Sequence, residues 1–348
     1  MAFRLPSNIC QRIRGGASLG FDCDDGGNVV GGAFDTGWGG GTPYPPPGYL
    51  PWNRLEVGNG DTYGFYWPIG RESDPPLVCT LMHDSFEIYP LATSLESAAR
   101  LHVASGMECD EWIELADELH VRTDDCHPAD VDVEEREGDT VPYWGVRRAD
   151  ELLALDPRSP SLLLRHAIER IATAPPDFDA AEATIREALD VLPEYTSAWW
   201  SLLQLRRRRK ASPALLFEAV IGCLTCPLAF GHADRAKCLR WLRQFDSAAN
   251  ADDVAHDPLW QRRERFHAEP EEDDFAAYAE ATEAYHALGM SVRAVQLRVV
   301  FGELMAQQTT SFLERAKFTW RGFWEQLRDD LIRAGLDARL EAISKSPD

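Results

Sequence analysis

The sequence lacks any uninterrupted apolar run near the ~18 residues that a membrane-spanning helix requires. Ahead of the polar stretch Gln11–Arg14 there is also no apolar core of the kind that a secretory signal carries. We therefore expect a cytoplasmic protein with no membrane partner. The composition is not that of a disordered chain either, because 45% of the 348 residues are apolar and 11 are Trp. At roughly 100–200 residues per domain, this length predicts two domains.

Lysine is absent from residues 1–146, which hold 8 Arg against 25 Asp or Glu. Most of the chain's net charge of −22 therefore lies in its front part. A field of this sign repels phosphate backbones, so we expect no nucleic-acid partner. It attracts a protein with a basic surface, although the same charge could simply keep the chain soluble. Acidic residues concentrated at 122–146 predict a linker between two domains, 1–121 and 147–348.

Recognisable catalytic motifs are missing as well. The sequence has no Gly-x-Ser-x-Gly or His-Glu-x-x-His pattern and no glycine-rich phosphate loop. His83 and Asp84 could form an acid–base pair, but no nucleophile accompanies them, and a turn-capping role for Asp84 is the simpler interpretation. A site assembled from distant carboxylates remains an alternative. We expect a protein that is not an enzyme, with no catalytic residue and no cofactor.

The cysteines show only part of a metal-binding pattern. Cys223 and Cys226 form one CxxC pair, and His232 and Cys238 follow, all residue types that can bind zinc. A second CxxC pair is missing, and Cys223 falls on an apolar helical face. We expect reduced, buried thiols and no metal, with zinc at these four residues as the alternative.

Residues 62–89 have the pattern of a small sheet. Thr62–Trp67 is aromatic and favours a strand that ends at Pro68. Leu77–Met82 and Phe86–Tyr89 should pair as a hairpin across the turn between them.

Two helices should follow the sheet. Thr93 and Glu96 form a capping-box pattern that opens a helix reaching about His102. A second helix is indicated by apolar residues spaced for one face: Trp112, Leu115, Ala116 and Leu119. The front part is therefore expected to be an α+β domain, a small sheet with flanking helices.

The second half is helical and internally periodic. Pro157, Pro193 and Pro227 recur at intervals of 36 and 34 residues, and amphipathic segments lie between them. One helical hairpin cannot bury its apolar face alone, so a repeat of this length predicts stacked hairpins. The segment Ala183–Trp199 resembles a degenerate tetratricopeptide-type repeat. We expect an all-α helical-repeat domain whose later helices are Phe275–Leu288, Val292–Met305 and one long helix from Phe312 to Gly335.

Basic residues cluster at Arg206–Lys210 and again at 262–265. The first cluster precedes Ser212 and Pro213, which should stop a helix, so its cations suit the negative end of a helix dipole. Binding to phosphates and docking onto the acidic front domain are the alternatives.

Residues 51–101 resemble the SUKH superfamily of SMI/KNR-type proteins. The resemblance lies in Val57–Gly70 with its Asn-Gly-Asp turn and aromatic strand, in His83-Asp84, and in Ile88–Glu96 with its helix-starting Ser-Leu-Glu. It implies an α+β fold and, in bacteria, service as an immunity protein that binds and neutralises a toxin, often a nuclease.

The resemblance and the charge together predict an intracellular immunity-type protein that occludes a toxin with a basic surface. We expect the contact residues among acidic and aromatic side chains near the Asn-Gly-Asp turn: Asp61, Tyr63, Trp67, Glu72, Asp74, Asp84 and Glu87. Strand aromatics also build cores, so at least half of Tyr63, Phe65, Tyr66 and Trp67 should be buried. The alternative is a regulatory adaptor whose helical repeats recruit protein clients.

Overall fold

The computed structural model describes residues 3–14, 22–30, 46–56, 61–82, 87–104, 110–118, 148–245, 252–267 and 269–344. The predicted linker and the turn at His83–Ser85, with Asp84, lie outside these residues, as does Leu119. The fold class predicted from the sequence is confirmed: a small antiparallel sheet with helices is followed by a mostly helical region.

The front region is built on a four-stranded antiparallel sheet. Its elements in chain order are α1 (Ser7–Arg14), β1 (Asp22–Cys23), β2 (Val29–Val30), β3 (Tyr49–Glu56), β4 (Thr62–Tyr66), β5 (Leu77–Met82), β6 (Glu87–Ala92), α2 (Leu95–Ala104) and α3 (Asp110–Glu118). The sheet order is β3-β4-β5-β6, and β1 and β2 form a separate two-stranded ribbon. The predicted hairpin is confirmed as β5 and β6, which pair from Met82↔Glu87 onward.

Both faces of the four-stranded sheet are covered. Tyr63 and Phe65 of β4 face a core shared with α2 and α3, whereas Tyr66 on the same strand packs in the core of the helical region. This alternation follows from the two-residue period of a strand. The sheet is therefore a middle layer, and all four strand aromatics considered above are buried.

The helical region begins with short hairpins and ends with longer helices. In chain order it contains α4 (Ala149–Leu153), α5 (Pro160–Ala172), α6 (Phe178–Val191), α7 (Thr196–Arg208), α8 (Pro213–Thr225), α9 (Arg235–Gln244), α10 (Asp252–His256), α11 (Pro258–Gln261), α12 (Glu272–Ala287), α13 (Ser291–Ala306), α14 (Thr310–Arg315), α15 (Trp320–Ala334) and α16 (Asp337–Ser344). None of the helices in this described part of the chain, or of the front region, is long and apolar enough to span a bilayer.

Local capping chemistry sets several of these helix ends. Ser159 accepts a hydrogen bond from the Leu162 amide, and Ser212 does the same for Leu215, each with Pro as the first helical residue. Gly335 ends α15 in the left-handed conformation at φ 69°, as its position after the apolar stripe predicts.

Asp177 caps α6, because its carboxylate accepts from the Ala180 amide at 3.1 Å. Two predicted boundaries in the helices are wrong. The cap of α2 is Ser94, whose hydroxyl accepts from the Ser97 amide at 3.0 Å. The expected long helix is broken into α14 and α15, since Lys317 takes a positive φ of 53° and Thr319 caps a new helix.

The front and helical regions share buried surface. Tyr49, Leu77 and Leu81 of the sheet lie in the same apolar cluster as the helices α6–α13, and Leu152 and Leu162 lie in the cluster of the front helices. Apolar packing is therefore continuous between the front region and the helical region.

Candidate functional site

Most of the residues predicted to contact a partner lie inside the molecule. Asp61, Tyr63, Trp67 and Glu72 are each no more than 5% exposed. A side chain so enclosed cannot touch a partner without rearrangement of the fold. These four residues are therefore better described as part of the core than as a contact surface.

Glu72 is occupied by an ion pair within the chain. Arg339, on α16, donates through Nε to Glu72 Oε1 and through Nη2 to the carbonyl oxygen of Trp67. Gly48, at φ 111°, permits this approach, because a Cβ at that position would overlap the Arg339 guanidinium. The acidic residue that the sequence assigns to the surface thus fixes the end of the helical region to the sheet.

A second buried carboxylate joins the same two regions. Glu194, in the turn before α7, accepts from the Ile69 amide at 3.0 and 3.1 Å and from the Tyr66 hydroxyl. Gln296 of α13 donates to Glu194 Oε2 at 3.3 Å. Burial raises the pKa of Glu194, and the positive charge of Arg339 opposes that shift.

A third contact lies where β6 meets α5. Asp156 accepts from both the amide and the hydroxyl of Thr93 at 2.7 Å. Ser159 donates to the Leu91 carbonyl at 2.8 Å. Thr93, expected to cap α2, instead donates both hydrogen bonds to Asp156 of the helical region.

The remaining predicted contact residues are more accessible. Asp74 is exposed in the loop before β5. Glu87 is half-buried on β6, and its carboxylate accepts a hydrogen bond from the Tyr89 hydroxyl. Asp84 lies outside the described residues.

Helix α3 presents the densest negative charge among the front elements. Its nine residues include five carboxylates and no cation. Trp112, Leu115 and Ala116 form its buried face, and the Trp112 ring meets Tyr63 at 5.0 Å, edge to face. Because the apolar face is fixed on the sheet, the helix holds Glu114 and Asp117 toward solvent.

Three exposed carboxylates lie on the two helices α2 and α3. Glu114 and Asp117 are exposed, as is Glu96 on the neighbouring α2, and none of them forms an ion pair with another described residue. We call Glu96, Glu114 and Asp117 the acidic face. Within the described part of the chain, no cation neutralises these three carboxylates.

The cysteine group does not come together as a metal site. Cys223 and Cys238 are buried, and Cys226 donates to the Pro193 carbonyl at 3.6 Å. His232 is exposed. Among the described residues, no group of three or more His, Cys, Asp or Glu side chains is placed to hold a metal ion.

The basic cluster at the end of α7 divides into two sets. Arg206 is buried and paired with Glu182 at 3.0 Å and with Glu218 at 2.8 Å. Arg209 pairs with Glu182 at 3.1 Å. The cluster therefore holds α6, α7 and α8 together, and these two arginines are not docked on the front region.

The second set, Arg207, Arg208 and Lys210, is exposed. No ion pair is formed by these three cations within the described chain. The guanidinium of Arg207 lies 4.0 Å from the centre of the Trp241 ring.

The apolar spacing of Trp112, Leu115 and Ala116 predicts helix α3, but it carries no information about the charge of that helix. A charge count over each predicted helix distinguishes α3, because five of its nine residues are acidic.

Comparison with known proteins shows similarity along both regions of the chain. Residues 37–111 match the model of the YfbP N-terminal domain, a span that includes β3–β6 and α2. The Escherichia coli (strain K12) protein named "Uncharacterized protein YfbP" is 27% identical over 295 residues, which is 82% of this chain and 88% of that protein. The resemblance to the SUKH superfamily stays a hypothesis.

Proposed function

We propose that this chain is an immunity-type binding protein that neutralises a toxin with a basic surface by covering it, inside the cell and without catalysis. The observation that carries the proposal is the acidic face, three exposed and unpaired carboxylates on helices anchored to the sheet. The resemblance of residues 51–101 to the SUKH superfamily supports the same function.

Occlusion of a basic protein requires a surface that is charged and rigid. The five carboxylates of α3 attract a cationic partner at a distance and raise its rate of association. The packing of Trp112 against Trp52 and Tyr63 fixes the helix before the partner arrives. A surface ordered in advance loses little conformational entropy on binding.

Charge reversal on α3 tests the proposal directly. The double variant Glu114→Lys/Asp117→Lys changes two exposed residues three positions apart. Glu187→Lys/Asp190→Lys on α6 is the matched control, because these residues are also exposed, three apart and identical in type. Both variants shift the net charge equally, so a difference between them reports the location of the charge rather than its amount.

The tagged full chain is used to capture its partner from the native cell, and the captured protein is then expressed alone. We expect it to arrest growth, and we expect co-expression of the wild-type chain or the α6 control to restore growth. The α3 variant should fail to restore growth and should associate at least tenfold more slowly at low salt. A harmless captured protein, or full rescue by the α3 variant, would refute the proposal.

An adaptor role is the second candidate function. It is favoured by the exposed cations of α7, which lie on the helical region rather than on the acidic face. The capture experiment separates the two functions, because an adaptor recovers harmless clients and the α3 variant retains them.

A further inference from the structure

Helices α7 and α9 form a surface of opposite sign to the rest of the protein. Neither helix contains an acidic residue, whereas α7 carries three arginines in its last turn and α9 carries three arginines and one lysine. In a chain of net charge −22, this is a local reversal. We call its outward side chains the basic aromatic surface: Trp200, Arg207 and Arg208 of α7, with Arg240 and Trp241 of α9.

The tryptophans of this surface are stacked and held in place. The rings of Trp200 and Trp241 lie 6.0 Å apart at an interplanar angle of 16°. Arg207 is seven positions after Trp200, two helical turns or about 10.5 Å along α7. Its guanidinium lies 4.0 Å from the Trp241 ring centre. The ring of Trp241 therefore fits between Trp200 and Arg207.

This stacking leaves the hydrogen-bonding capacity of Arg207 unused. A guanidinium stacked on an aromatic ring keeps its N–H donors directed outward from its edge. Arg207, Arg208 and Arg240 are all exposed, and none of them has an ion-pair partner among the residues that the structure describes. A fixed planar cation with free donors matches a carboxylate, which it can bind through two parallel hydrogen bonds.

We infer that the basic aromatic surface binds an acidic peptide segment of a protein partner. Carboxylates of the segment pair with Arg207, Arg208 and Arg240, and its apolar atoms contact the half-buried edges of Trp200 and Trp241. This surface is separate from the acidic face, so the inference goes beyond the proposed function.

Single-stranded nucleic acid fits the same surface less well. Stacking of a base requires an open ring face. The Trp241 ring already has Arg207 and Trp200 as neighbours at 4.0 and 6.0 Å.

The test measures the fluorescence anisotropy of a labelled, glutamate-rich peptide against the full chain, with the equivalent glutamine peptide as its control. We expect the glutamate peptide to bind and its affinity to fall as salt rises, because the paired charges are exposed. The glutamine peptide should not bind. Arg207→Gln/Arg240→Gln should weaken the affinity by roughly tenfold or more.

Matched variants make the result specific. Arg321→Gln/Arg328→Gln removes the same charge from two exposed positions on α15 and should leave the affinity within about twofold of wild type. Glu114→Lys/Asp117→Lys should bind the peptide at least as well as wild type, so the two proposals fail independently. Thermal unfolding confirms that each variant is folded.

Three outcomes would overturn the inference. The first is no binding of the glutamate peptide, or equal loss in both arginine variants. The second is tighter binding of an oligothymidylate than of the peptide, abolished by Arg207→Gln/Arg240→Gln. The third is self-association of the wild-type chain in light scattering that the same variant abolishes, which would assign the surface to a second copy.

Discussion

Arg339 and Glu72 form a buried ion pair although 267 positions separate them in the chain. The side chains are 1% and 6% exposed, respectively. Arg339 also donates to the Trp67 carbonyl, and its guanidinium lies 5.7 Å from the centre of the Tyr66 ring. A desolvated charge of this kind is tolerated only when its partner stays in place.

Removal of the cation should destabilise the whole chain. Arg339→Leu leaves Glu72 buried without a counter-charge, and we expect the free energy of unfolding to fall by about 3–5 kcal/mol. Arg333→Leu is the control, because its pair with Glu283 is 41% and 60% exposed and should contribute about 0–1 kcal/mol. Urea denaturation measures both. Equal losses in the two variants would show that burial of the Arg339 pair has no special cost.

A cut in the acidic segment should not separate the molecule. The sequence alone predicts that cleavage within 122–141 releases two folded pieces. The structure leads to the opposite expectation, because Glu194, Asp156 and Arg339 each bond from the helical region to the front region. A protease site inserted at 122–141 should give two fragments that elute together in size-exclusion chromatography. Independent elution of folded fragments would contradict the shared core.

A substitution at either Trp199 on α7 or Gly222 on α8 should lower the free energy of unfolding, because the two residues pack against each other. The Trp199 indole donates to the Pro193 carbonyl at 2.8 Å, and a Cβ on Gly222 would overlap its ring. Trp199→Ala should cost about 3 kcal/mol of unfolding free energy, and Gly222→Ala about 1–3 kcal/mol through overpacking. Denaturation of both variants checks this, and an unchanged Gly222→Ala would show that the two helices can separate freely.

Acid should destabilise the front core through His102. Burial lowers the pKa of His102 from its ordinary 6.5 to about 4. Between pH 6.5 and 4, His102 is therefore protonated in the unfolded chain but neutral in the folded chain. The free energy of unfolding should fall as pH drops through this range, by up to about 3 kcal/mol. His102→Phe keeps the stacked contact with Trp112 at 5.1 Å and should flatten this dependence. An identical pH profile in wild type and variant would remove His102 as the cause.

The sequence predicts elements well where their signal is local. The strand aromatics, the hairpin of β5 and β6 and the helix stop at Gly335 all depend on near neighbours. The strand β3 was missed, because Gly and Pro around it hide its pairing with β4.

The burial of charged side chains is harder to predict, because it depends on residues that are distant in the sequence. Glutamate is usually a surface residue, yet Glu72 is buried because it pairs with Arg339 on α16. Arg206 belongs to a basic run that suggests exposure, yet it is buried and forms ion pairs with Glu182 and Glu218. A local pattern shows which side chains are charged, but not which of them find a partner far along the chain.

The sheet depends on residues that are synthesised much later than it is. At about 5–20 residues per second, roughly 10–50 seconds pass between the emergence of Glu72 and that of Arg339 from a ribosome. Until the chain as far as Phe230 has emerged, one face of the sheet, with Tyr66 and Leu77, lacks helical residues that cover it. Chains that stop early would therefore present unprotected apolar surface and a carboxylate without its cation, features that expose unfinished chains to chaperones and proteases.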